Sequence, residues 1–255
     1  MKTLPLVALH GFMGSPSTFD HLVGRWSGKC IALSVPRPSW PNNASAALTL
    51  SSAHDQAARS ILSQLDAKRI HVFDLLGYSM GGRIAMHIAR LAPERVRRLV
   101  LEAAHPGLES EAARDARREQ DRQWADRIRR EGPGMLTAWY EQPVFASLSE
   151  SFRGDLIEEK RGQSWSTIPS MLDAYSLGRQ APHWDFLKKH SRETLFISGE
   201  RDERYSKLGA MLETQSPLIR HISVPNAGHI VHREQPEAYL GALNSFLIQE
   251  TSPNT

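Results

Sequence analysis

The chain has one cysteine, Cys30, so an intrachain disulfide is excluded and a reducing compartment, the cytoplasm, is the expected location. No apolar run approaches the roughly eighteen residues of a spanning helix, which predicts a soluble globular protein without a membrane span. The N-terminal stretch MKTLPLVALHGF has one lysine and lacks the small-residue cleavage site of a signal peptide. It reads instead as a first strand. Neither a basic tail, zinc-ligand spacing nor an aromatic RNA-binding motif accompanies the net charge of +3, so no nucleic-acid partner and no metal are expected. Lysine is also scarce: of 31 basic residues, 7 are lysine and 24 arginine. The planar guanidinium matches carboxylate and phosphate, which points to a small anionic molecule as the partner, although a genome rich in arginine codons would leave the same bias. Nothing in the sequence demands a second copy, and a monomer is expected.

What is present is enough for one domain. The 255 residues are 40% apolar and 23% charged, with no internal repeat or low-complexity tract, a composition that can bury a sizeable core. Short apolar runs alternate with longer periodic stretches, the pattern of a mainly parallel sheet flanked by helices. The strands are expected in LPLVALHG, CIALSVP, IHVFDLLGY, VRRLVLEAA, ETLFISGE and IRHISVP. Helices are expected over Ala46 to Leu65, Met80 to Leu91 and Glu234 to Gln249. Between the fourth and fifth strands, about residues 105–190, no strand pattern occurs. Helices are predicted there over Glu109 to Glu131, Met135 to Tyr140, Ser149 to Lys160, Ser166 to Ser176 and Trp184 to Lys189. An insertion at that place leaves the carboxyl ends of the strands and roofs the site beneath. The expected organisation is therefore a core of residues 1–104 and 191–255 with a helical cap over 105–190.

The chemistry centres on Gly77-Tyr78-Ser79-Met80-Gly81, a G-x-S-x-G motif between an apolar strand and a helix. The bare motif is common, but a strand ending just before it and helix formers just after it are the context of a nucleophile on a tight, strained turn. A serine hydroxyl needs a base, and the base needs an orienting carboxylate. GERDERY places Asp202 just past a strand, with Glu200 and Glu203 as rivals, and AGHIVHRE places His229 just past the last strand, with His232 as its rival. All three ends lie on one edge of the sheet. In LHGFMGS the backbone N–H of Phe12 can join that of Met80 as an oxyanion hole. These stretches resemble the α/β-hydrolase superfamily, which implies an α/β-hydrolase fold with the helical insertion as its lid.

Arg83 lies four residues after Ser79 and so on the same helix face. A cation at a helix N-terminus opposes the dipole, an odd choice unless an anion sits between them. In the long cap helix Ala113, Arg117, Trp124 and Ile128 form one stripe, while seven acids and seven bases between Glu109 and Glu131 read mostly as a solvated face. Arg118, Arg122 and Arg127 belong to that face. Trp139 and Tyr140 either line the pocket or anchor the cap. Arg161 either caps its helix or points inward to a carboxylate.

LHGFMGS, GYSMGGRIAMHIA, EAAHPGLES, RREQDRQWADRI, WYEQPVFASL, GERD and AGHIVHREQPEAY together resemble the 2-succinyl-6-hydroxy-2,4-cyclohexadiene-1-carboxylate synthase family of bacterial menaquinone biosynthesis. That resemblance implies a lyase that eliminates pyruvate from a polyanionic cyclohexene without metal or organic cofactor. It implies the triad Ser79, Asp202 and His229 and a substrate-binding set at Tyr78, Arg83, Arg117, Trp139 and Arg161. The spacing from Arg161 to Met171-Leu172 is shifted by a residue, and SVPRPSWPNN replaces the family's DLPGHG-like loop, which leaves open a contact from Arg37. The rival expectation is a serine hydrolase of a small carboxylated ester or C–C bond substrate.

Overall fold

The structure, a computed structural model, describes residues 4–22, 25, 28–38 and 50–248. Each of the six expected runs forms a strand: β1 Leu6–Leu9, β2 Cys30–Leu33, β3 Phe73–Tyr78, β4 Val96–Glu102, β5 Thr194–Gly199 and β6 Ile219–Val224. All pair in parallel, in the order β2-β1-β3-β4-β5-β6. The apolar strings of β1 and β3 suit strands covered on both faces. Alternate residues of β1 divide accordingly. Val7 and Leu9 join one apolar layer with α1 (Ser52–Ala67), α2 (Met80–Leu91) and α8 (Glu203–Gln215). Leu6 and Ala8 join the other, with Phe19 and Leu240, Leu243 and Phe246 of α10 (Pro236–Leu247).

The helix expected from Ala46 is seen from Ser52 onward; its predicted start and the second half of the divergent loop lie outside the described residues, as does Gln249. The helix expected from Glu234 is divided into α9 (Val231–Glu234) and α10. Pro236 is the cause, because its ring disfavours the helical region for the residue before it, and Gln235 sits at φ −138°, ψ 66°. Helix α8 was not anticipated. Its signal was Asp202, whose carboxylate accepts a hydrogen bond from the Tyr205 N–H at 3.3 Å and so caps the helix.

Between β4 and β5 run α3 (Glu111–Glu131), α4 (Leu136–Tyr140), α5 (Glu150–Arg161), α6 (Ile168–Ala174) and α7 (Trp184–Lys189), with no strand among the described residues. Helices α3 to α6 share an apolar cluster of their own, including Ala125, Ile128, Leu136, Leu156 and Leu172. Met13 and Ile230, from the loops after β1 and β6, complete it. Helix α7 packs differently, with Leu187 in the layer beside the sheet.

Several buried or half-buried histidines are held neutral. Burial pulls His10 and His105 down to about 4 and His183 to about 3. The unfolded chain takes up these protons near pH 6.5, whereas the folded protein does so only near pH 4 and below. Stability is therefore present above about pH 6.5 and lost as pH falls toward 4, approaching ~1.4 kcal/mol per histidine per pH unit. Urea unfolding at pH 7 and pH 5 should show a loss on the order of a few kcal/mol; equal stability would mean that these rings charge without unfolding.

Candidate active site

Ser79 joins β3 to α2 at φ 50°, ψ −110°, a left-handed conformation that a non-glycine residue adopts only when its surroundings impose it. The imposition is visible in the flanking glycines. A Cβ at Gly77 would strike the backbone of Gly82, and one at Gly81 would strike the carbonyl oxygens of Leu9 and His10. The Ser79 N–H donates to the Glu102 carbonyl at 2.8 Å, and the Arg83 N–H donates to the Ser79 carbonyl at 3.1 Å. Anchored so, the serine presents its side chain to a cavity.

The loops after β5 and β6 bring the two partners. His229 Nε2 lies 3.4 Å from Ser79 Oγ, and His229 Nδ1 lies 2.7 Å from Asp202 Oδ2. Asp202 uses its other oxygen to cap α8, so one carboxylate fixes both a helix and an imidazole. The rivals are occupied elsewhere. Glu200 accepts from the Asn226 N–H, Glu203 pairs with Lys207 on the surface, and His232 is buried against Glu102 at 2.8 Å. Glu234, which sequence reasoning missed, holds the histidine loop from both sides. Its carboxylate accepts from the N–H groups of Gly228 at 2.8 Å and Ile230 at 2.9 Å. Met80 opens α2, where the first N–H groups have no partner within the helix, and it lines the cavity together with Phe12.

The cavity, about 350 Å³, is roofed by α3 to α6 and enclosed by both apolar and charged side chains, a size and character suited to a small molecule. Of the expected binding set, Tyr78, Arg83, Arg117 and Trp139 line it. Trp139 does both things sequence reasoning allowed. It faces the cavity and packs against Phe12 and Trp124, each at 5.1 Å between ring centroids. Tyr78 is partly buried, and desolvation raises its hydroxyl pKa. Arg83 is 9% exposed, and burial first, then the neighbouring Arg117, lowers its pKa to about 10. Arg117 is held by Asp121, whose two oxygens lie 2.9 Å from its Nε.

Arg161 is the exception. Its side chain is 57% exposed and pairs with Glu158, and it is absent from the lining. The preceding residue, Lys160, takes the inward place, with its side chain 14% exposed and Nζ 2.8 Å from Glu159. The one-residue shift in spacing was the signal for this. Arg204 and Arg233 also line the cavity, whereas Arg37 is exposed and does not. Arg118, Arg122 and Arg127 form surface ion pairs along α3, as expected for a solvated face.

A model of the alpha/beta hydrolase family matches residues 6–242. A 2-succinyl-6-hydroxy-2,4-cyclohexadiene-1-carboxylate synthase from Enterobacter sp. (strain 638) is 36% identical over 243 residues, 95% of this chain and 91% of that protein. The chain belongs to this synthase family. A synthase of the same name from Escherichia coli O1:K1 / APEC is 33% identical, covering 95% of this chain and 93% of its own length. Among solved structures, MenH from S. aureus superposes with a TM-score of 0.85 at 24% identity, covering 99% of this chain and 96% of that one. An esterase from Thermogutta terrifontis superposes at 0.76 and 22% identity, covering 97% and 90%; at these identities both show the fold alone. No helix among the described residues is long and apolar enough to cross a membrane.

Proposed function

We propose that the chain is a carbon–oxygen lyase of menaquinone biosynthesis. It eliminates pyruvate from 2-succinyl-5-enolpyruvyl-6-hydroxy-3-cyclohexene-1-carboxylate to give 2-succinyl-6-hydroxy-2,4-cyclohexadiene-1-carboxylate. The observation that carries this is the match, along 95% of the chain, to relatives named for that synthase. A cation-lined cavity beside a serine, histidine and aspartate in line supports it. In this reading Ser79, His229 and Asp202 are the catalytic triad and the Phe12 and Met80 N–H groups the oxyanion hole. Residues 105–190 are the cap, and the protein works as a monomer in the cytoplasm.

His229, oriented by Asp202, takes the Ser79 hydroxyl proton, and the serine oxygen takes the ring proton of the substrate. The C–H electron pair enters the ring, and negative charge builds on the succinyl ketone oxygen, where the Phe12 and Met80 N–H groups stabilise it. Its collapse forms the second ring double bond and breaks the carbon–oxygen bond to the enolpyruvyl group. His229 returns its proton to the departing enolate oxygen, and the enol so formed tautomerises to pyruvate. The carboxylates of substrate and leaving group are held by Arg83, Arg117 and Lys160. Binding them desolvates the reacting carbon and orients its C–H toward Ser79.

Lys160 and Arg161 are adjacent, which makes a clean comparison. Lys160→Met is expected to raise KM about tenfold or more, the loss of one charge-assisted contact, whereas Arg161→Met leaves KM unchanged. Equal effects would return Arg161 to the binding set.

The reaction is tested by generating the enolpyruvyl-cyclohexene in situ and monitoring diene absorbance with pyruvate release. Stoichiometric diene and pyruvate above the spontaneous rate support the lyase. No acceleration, with burst kinetics on simple carboxylated esters, would transfer the same residues to a serine hydrolase.

A further inference from the structure

The cations that line the cavity differ in what holds them. Arg117 is paired with Asp121, and Lys160 and Arg233 with Glu159. Each of those carboxylates partly cancels the charge it anchors. Arg83 has another kind of partner: its Nη1 lies 3.2 Å from Nε2 of His54 on α1, a fully buried ring. Guanidinium only donates, so Nε2 must offer a lone pair and the ring's proton must sit on Nδ1. Burial first, then the charge of Arg83, drives the His54 pKa well below its usual value, so the ring is neutral.

His54 is itself fixed by packing. It stacks on His87 at 5.1 Å and 20°, and its edge meets Tyr175 at 5.6 Å. His87 lies 2.7 Å from Asp55 and meets His183 edge to face at 4.3 Å. Tyr175 donates its hydroxyl to the Pro36 carbonyl at 2.6 Å. Among the described residues His54 Nδ1 has no hydrogen-bond partner, so the contact with Arg83 is the polar interaction that sets this ring's role.

We infer that His54 is a positioning residue, a neutral acceptor that anchors the Arg83 guanidinium without neutralising it, so that its full charge and remaining donors face a substrate carboxylate. A carboxylate at the same place would hold Arg83 equally well but compete with the substrate for its charge. This rests on the lyase reading insofar as the substrate is a carboxylate; the anchoring itself does not.

Two measurements separate those parts. The ¹⁵N shifts of the His54 imidazole at pH 7 are expected to show a neutral ring protonated on Nδ1, which needs no substrate. A ring protonated on Nε2, or on both nitrogens, overturns the proposal. In the lyase assay, His54→Leu removes the acceptor at similar volume and is expected to raise KM about tenfold or more with kcat within about twofold, because Arg83 grips a group bound alike in ground and transition states. His54→Gln, which restores a carbonyl acceptor, is expected to recover most of that loss. Should the leucine variant not fold, His54→Asn, too short to reach Arg83, gives the same contrast with glutamine. An unchanged KM in the variant lacking an acceptor, or no rescue by glutamine, overturns the positioning role. A wild-type enzyme without lyase activity overturns the reaction instead and leaves the ¹⁵N result to decide the anchor.

Discussion

Replacing Ser79 with alanine is expected to lower kcat about a thousandfold or more while KM stays within about threefold, since positioned proton transfer contributes on the order of 10²–10⁴ in rate. The oxygen that leaves is the one 3.4 Å from His229 Nε2, and no other hydroxyl among the described cavity residues stands in that relation to it. Stability should not fall, because alanine accepts the same φ of 50° at the same cost and the lost contact is longer than an ordinary hydrogen bond. Retention of more than a tenth of the activity would show that the imidazole removes the substrate proton directly. Diene formation in a stopped-flow experiment reads the outcome. A pre-steady-state burst in the wild type, absent from the variant, would instead mark an acyl-enzyme and favour the hydrolase.

The second large effect concerns Arg83. Arg83→Met keeps the buried volume and is expected to reduce kcat/KM about a hundredfold or more, mostly through KM, as a buried charge-assisted carboxylate contact is lost. The folded protein should be at least as stable as the wild type. Arg83 sits near the N-terminus of α2, 9% exposed, with a neutral imidazole as its hydrogen-bond partner. It therefore bears a desolvation cost and an unfavourable helix dipole that methionine removes. Such a cost, maintained without structural return, is what a binding site imposes. Reaction of Ser79 with a serine-directed phosphonate should proceed at the wild-type rate, since the triad does not use Arg83. Equal loss of substrate turnover and phosphonate reaction would make Arg83 a structural residue.

Much of this molecule is legible along the chain because its signals are local. The central parallel strands are largely buried and so read as short apolar runs, and all six expected runs, the partly exposed edges β2 and β6 included, pair in one sheet. The turn at Ser79 needs small residues on either side of it, so the glycines that the packing requires also mark the site in the sequence. Ser79 comes directly after β3, Asp202 and His229 lie in the loops that follow β5 and β6, and parallel strands deliver the loops at their carboxyl ends to one edge of the sheet. Helix α8 escaped notice because Asp202 makes two contacts, and the one expected with His229 masked the cap.

Direction and company could not be decided from the order of residues along the chain. On a helix one residue turns a side chain by about 100°, so Lys160 and Arg161 read alike in sequence, yet one faces the cavity and the other solvent. The packing of Leu156, with Phe152 and Ile157 beside it, into the apolar cluster of the insertion sets the rotation of α5. Partners far apart in sequence are hidden in the same way: Glu102 behind His232 and His54 beneath Arg83. No spacing rule joins residues on different helices. The sequence alone thus determined the strands of the sheet and pointed to Ser79, Asp202 and His229, whose side chains the fold brings together, because hydrophobic period and turn chemistry are properties of neighbours. The tertiary structure decided which cations line the cavity and what holds each of them, because charge, burial and hydrogen bonding depend on groups that meet only when the helices pack.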